Sequence, residues 1–108
     1  MKIITLHNRV NPAKLCEHIE ENLDAMFREH RNIDMHFTVT RTGDVIEISQ
    51  PELYEGVLFS IKIKGSELWI TRSEHYVDDV NSLTVESVLN DLFKDISGKF
   101  GTDLLQEG

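Results

Sequence analysis

Residues 57–72 read VLFSIKIKGSELWITR, and this stretch decides the fold. Gly65-Ser66 sits between two alternating apolar runs, which is a strong short-range signal for a β-hairpin with a two-residue turn. Counting outward pairs Lys64 with Glu67, Ile63 with Leu68, Lys62 with Trp69 and Ile61 with Ile70. Side chains alternate across a strand, so Val57, Phe59, Ile61, Ile63, Leu68 and Ile70 share one apolar face. Ser60, Lys62, Lys64, Glu67, Trp69 and Thr71 point the other way.

Toward the N-terminus, Met35, Phe37 and Val39 alternate with His36, Thr38 and Thr40, the period of a strand. Reading Thr42-Gly43 as the next turn pairs Arg41 with Asp44, Val39 with Ile46 and Phe37 with Ile48, and gathers the apolar residues on one face. Asn11-Pro12 marks a helix start: Asn accepts from a free backbone N–H, and Pro sits where no N–H is needed. Leu15, Cys16, Ile19, Leu23, Met26 and Phe27 then form an apolar stripe. Glu17, Glu20, Glu21, Asp24 and Arg28 occupy the opposite face, with Arg28 expected to pair with Asp24. The helix is expected to stop near Arg31-Asn32, where Arg28, His30 and Arg31 complement its negative end.

Lys2 to Leu6 reads as a first strand, and Gln50 to Gly56 as a corner. Ser73 to Ser82 is a polar connection, after which Thr84 is the expected N-cap, with Leu83 and Val88 as a hydrophobic staple. Val85, Val88, Leu89, Leu92, Phe93 and Ile96 give a second amphipathic helix ending at Gly98. The order β-α-β-β-β-β-α, with one apolar face per element, predicts a two-layer α+β domain over residues 1–100. An antiparallel sheet carries both helices on one face; Phe100 folds back, and residues 101–108 are a flexible tail. The other sheet face is expected to be wet and to carry His36, Thr38, Glu47, Lys62 and Trp69. There, Lys62 is the expected cation–π partner of Trp69.

The 108 residues carry 11 Lys and Arg against 19 Asp and Glu, a net charge of −8. Residues 1–32 balance at five against five, whereas 76–108 carry two basic and seven acidic side chains. Lys and Arg contacts to phosphate dominate nucleic-acid affinity, so this balance argues against direct DNA or RNA binding. It favours a partner protein with a basic surface. One cysteine, Cys16, excludes an intrachain disulfide and suits a reducing, cytoplasmic setting. No apolar run exceeds three residues, and no leader pattern opens the chain, so no membrane role is expected.

Catalytic signals are absent from the sequence. The five histidines lack metal-ligand spacing, the glycines form no phosphate cradle, and serine has no GxSxG context. Neither a metal nor a cofactor is expected. Tyr76-Val77-Asp78-Asp79 resembles the YxDD motif of reverse transcriptases, in which adjacent aspartates on a hairpin hold two metal ions. That site also needs a third carboxylate on a neighbouring strand and a palm with fingers and thumb, for which this chain has no space. A solvated acidic loop is the expectation instead.

The functional expectation is a small acidic, non-enzymatic interaction module of the inhibitor, immunity-protein or phage-antagonist kind. It would dock on a basic partner such as a nuclease or nucleic-acid-binding protein. The candidate contacts are Glu17, Glu20, Glu21, Asp24, Lys62, Trp69, Asp78 and Asp79. Two alternatives compete with it. One is a homodimeric accessory or chaperone-like protein paired through the open sheet face; the other is a ligand binder or small enzyme with a pocket between residues 50–56 and 73–82.

Overall fold

The computed structural model describes residues 2–6, 9–76 and 78–97. Five strands, β1 (Lys2–Thr5), β2 (Thr38–Thr42), β3 (Val45–Ser49), β4 (Val57–Lys64) and β5 (Glu67–Arg72), form one antiparallel sheet in the order β1-β5-β4-β3-β2. Helices α1 (Pro12–Arg31) and α2 (Val80–Ser97) pack on the same face of this sheet and against each other. The architecture is the expected two-layer α+β arrangement. Its core runs from Leu15, Ile19, Leu23 and Phe27 of α1 to Val85, Val88, Leu89, Leu92 and Phe93 of α2, over Ile46, Ile48, Phe59, Ile61 and Leu68.

The central hairpin has the register its turn specifies, from Lys64 opposite Glu67 to Ile61 opposite Ile70. Gly65 takes a φ of +63° at the first turn position, a conformation open to glycine without a Cβ clash. The same logic moves the neighbouring turn by one residue. Gly43, at φ +60°, occupies the first of two turn positions, so the turn is Gly43-Asp44 and Thr42 pairs with Val45. Arg41 therefore lies across from Ile46 rather than Asp44, and its Nη1 donates to the Gly43 carbonyl. The shift is two residues in register, so the same residues keep the inner face, with Val39 across from Ile48. β2 itself begins only at Thr38. Phe37 precedes it but stays buried, its ring edge-on to Phe27 at 5.0 Å.

A β-bulge accounts for one misplaced residue. The pairing slips between Ile48–Phe59 and Ser49–Val57, so Leu58 and Phe59 are both buried while Val57 is exposed.

Helix α1 starts and stops as its sequence predicts. The Asn11 side chain accepts from the N–H groups of Ala13 and Lys14, and Asn32 closes the helix in a left-handed conformation at φ 56°. Helix α2 starts a full turn earlier than expected. Asp79, not Thr84, is its N-cap: an Asp79 carboxylate oxygen accepts the Ser82 N–H at 3.0 Å. Thr84 lies inside the helix and donates its hydroxyl back to the Val80 carbonyl, and Leu83 is exposed rather than stapled. A single 3₁₀ turn, Glu74–Tyr76, fills part of the connection before it. The expectations for the side chain of Ile96, for Gly98 and Phe100, and for the tail from 101 to 108 lie outside the described residues. No helix among those residues is long and apolar enough to cross a membrane.

Candidate functional site

The sequence-derived contact residues fall on three separate surfaces. The first is the outer side of α1, where Glu17, Glu20 and Glu21 are exposed. After Asn32 the chain turns back along α1, and Asp24 anchors that return. Its two oxygens take the His36 Nδ1 at 2.6 Å and the Phe37 N–H at 3.0 Å. Asp24 is thus half-buried and structural, and His36 sits in this loop rather than on the sheet face. Arg28 reaches Asp34 at 3.4 Å instead of Asp24. Gln50 holds the loop from behind, donating to the His36 carbonyl at 3.2 Å.

These contacts leave an open depression of about 600 Å³ beside α1. Five carboxylates, from Glu20, Glu21, Asp24, Asp34 and Glu52, line it with one guanidinium and one imidazole, those of Arg28 and His36. Asp34 and Asp24 already engage those two groups. The surface is suited to attracting cations. It does not hold a metal geometry: among the described residues, no three His, Cys, Asp or Glu side chains are grouped to bind an ion.

The second surface is the outer face of the sheet, on the side away from both helices. A row crosses all five strands through Ile3, Trp69, Lys62, Val45 and Thr42, each directly opposite the next. Trp69 is half-buried rather than fully exposed. Its cation partner is Lys64, with Nζ 3.8 Å from the ring centroid, not the directly opposite Lys62. Lys64 is the diagonal neighbour of Trp69 across the β4–β5 pair, within reach for a long side chain. The indole N–H points at Glu67 at 3.4 Å.

The third surface surrounds the start of α2. Asp78 is exposed, but the same Asp79 oxygen that caps the helix also accepts the Tyr54 hydroxyl at 2.7 Å. Asn81 donates to the Tyr54 oxygen at 3.1 Å, and Tyr76 exchanges hydrogen bonds with the Glu55 backbone. The two tyrosine rings meet edge to face at 4.8 Å. Burial, and then the bond to Asp79, push the Tyr54 phenol above its ordinary value of 10.0. These bonds hold residues 50–56 and 73–82 together. An open hollow of about 510 Å³, lined by Glu55 and Gly56 of one segment and by His75 and Tyr76 of the other, lies where a pocket between them is one expectation. The likeness to YxDD ends here as well, since Asp79 begins a helix instead of standing on a hairpin beside Asp78.

Comparison with family models, curated proteins and solved structures gives no match. Function must be read from the chain's own surfaces. The structure gathers Glu20, Glu21 and Asp24 into one depression and adds Asp34 and Glu52, which sequence periodicity could not assign because both lie in loops. It leaves Lys62 and Trp69 on the opposite side of the sheet, and Asp78 and Asp79 at the N-terminus of the other helix. Cys16 lies buried on the apolar stripe as a core residue, and burial, followed by the nearby Glu20 charge, raises its thiol pKa.

Proposed function

We propose that this protein is a non-enzymatic interaction module that docks on a basic protein through α1 and the loop returning beside it. One observation carries the reading: among the described residues, five carboxylates share an open depression in which the one guanidinium and the one imidazole are already engaged by two of them. Concentrating like charge on a helix face has a cost. The pairs Glu17–Glu21 and Glu20–Asp24 each weaken the helix by about 0.2–0.5 kcal/mol, and a basic partner offsets this on binding. Inhibitors, immunity proteins and antagonists of nucleic-acid enzymes use such acidic faces, so a nuclease or nucleic-acid-binding protein is the partner class proposed. Pairing of two copies through the sheet face is the weaker reading. Lys62 and Lys64 stand on the central strand of that face, where a two-fold copy brings like charges together.

The test is affinity capture from cell extract with the wild-type protein and with the triple variant Glu17→Lys, Glu20→Lys, Glu21→Lys, at low and at moderate salt. Asp24 is left intact because it holds the loop. Wild-type capture should fall with salt, chiefly through a slower on-rate, and the variant should lose the partner at low salt. A folded variant that keeps every partner at both salt concentrations removes the proposal.

A further inference from the structure

Among the described strand residues, the helix-facing side of the sheet is apolar except at Arg41 of β2, across from Ile46, and at one corner at the other end. There Lys2 of β1 stands across from Ile70, and Arg72 of β5 across from Phe59. Charged side chains at such positions need an answering group. Helix α2 supplies two: Asn90 Oδ1 accepts from Lys2 Nζ at 2.7 Å, and Glu86 Oε2 accepts from Arg72 Nη1 at 3.0 Å. Glu86 and Asn90 are four residues apart and so lie on one side of the helix, next to Leu89.

These two bridges do not close over a packed interior. Between them is a cleft of about 210 Å³ floored by Phe59, Ile70 and Leu89, which are 1%, 8% and 2% exposed. Native interiors leave few voids larger than a water molecule, and an apolar floor with a few convergent polar groups is the general form of a small-molecule site.

We propose that this cleft binds a small amphipathic carboxylate, with its tail on Phe59, Ile70 and Leu89 and its head between Lys2 and Arg72. Charge sets the sign of the head. Two cations face one carboxylate, that of Glu86, so this corner is locally positive in a chain of net charge −8. Arg72 uses Nη1 on Glu86, and the other donors of its planar fork are suited to a second carboxylate. Volume sets the tail. A cavity of about 150 Å³ accepts benzene, so this one suits a ligand of about six to ten heavy atoms. The inference is independent of the acidic surface on α1.

The experiment is an NMR titration of the isotope-labelled protein with hexanoate and with hexanamide, which matches it in size but carries no charge. Hexanoate should give saturable shifts at the Ile70 and Leu89 methyl groups, and hexanamide should bind at least about tenfold more weakly, the least expected for one charge-assisted contact. Arg72→Gln should abolish that preference. Glu86→Gln, which frees Arg72, should strengthen hexanoate binding several-fold and leave hexanamide unchanged; a purely structural clasp predicts no gain. Equal binding of the two probes, no saturable shift at Ile70 or Leu89 up to about 10 mM, or a Glu86→Gln variant that weakens both probes overturns the proposal.

Discussion

Asp78 and Asp79 are adjacent and identical in type, yet the structure predicts opposite outcomes for removing them. Asp79→Ala deletes an N-cap acceptor, which costs typically about 1 kcal/mol. It also strands the Tyr54 hydroxyl, which loses its 2.7 Å acceptor, for about another 1 kcal/mol. The sum, about 2 kcal/mol, corresponds to a fall in Tm of roughly 8–16 °C for a domain of this size. Asp79→Asn should lose much less, because Asn caps nearly as well as Asp. Asp78→Ala, at an exposed position, should stay within about 0.5 kcal/mol of wild type. Urea denaturation followed by far-UV circular dichroism measures all three, with the m-value checking that the unfolded state is unchanged. The reasoning fails if Asp78→Ala and Asp79→Ala shift the midpoint equally, or if Asp79→Ala shifts it by less than Asp79→Asn.

Three further outcomes follow from the same geometry. Phe93→Ala should cost about 3–5 kcal/mol, since the ring is buried between α2 and the sheet, and a small change in the urea midpoint would contradict its place in the core. Trp69 should be reached by acrylamide in the wild type and more easily in Lys64→Ala, which loses about 0.5–1 kcal/mol of cation–π contact, whereas Lys62→Ala should leave quenching unchanged. Because the folded state holds the Tyr54 phenol above 10.0, its contribution is complete below that pH and is lost as pH rises through the higher folded value. Stability should therefore fall more steeply above pH 10 in the wild type than in Tyr54→Phe, and parallel alkaline profiles would refute this.

Gly65 and Asn11-Pro12 were sufficient to place their elements, whereas Gly43 located a hairpin without deciding which side of it the turn takes. Gly65 set a hairpin register that the structure reproduces pair by pair, and Asn11-Pro12 set the start of α1. The misreadings arose where two local signals were equally good. Thr84 and Asp79 are both capping residues, and the apolar stripe begins only at Val85; the turn from Val80 to Thr84 is helical without carrying the whole stripe. Three consecutive apolar residues, Val57 to Phe59, conceal a one-residue slip, because any two neighbours among them satisfy the pattern. Asp24 looked like one more surface carboxylate since its partners, His36 and the Phe37 N–H, lie in a loop with no periodicity. The corner made by Lys2 and Arg72 was invisible for the same reason: it needs β1 placed beside β5, and strand order is not written in either segment.

That strand order also bears on how the chain reaches its fold. Strands β2 to β5 follow one another as neighbours, so each pairing closes a short loop and can form early. β1 is different: it joins β5 across 62 to 68 residues, and the entropy of closing so long a loop is recovered only once the meander and α1 are in place. β1 should therefore dock after the rate-limiting step. Ile4→Ala, at a half-buried β1 position packed on the core, should then accelerate unfolding while leaving the refolding rate nearly unchanged. A stopped-flow chevron in which Ile4→Ala slows refolding would instead place β1 in the folding nucleus.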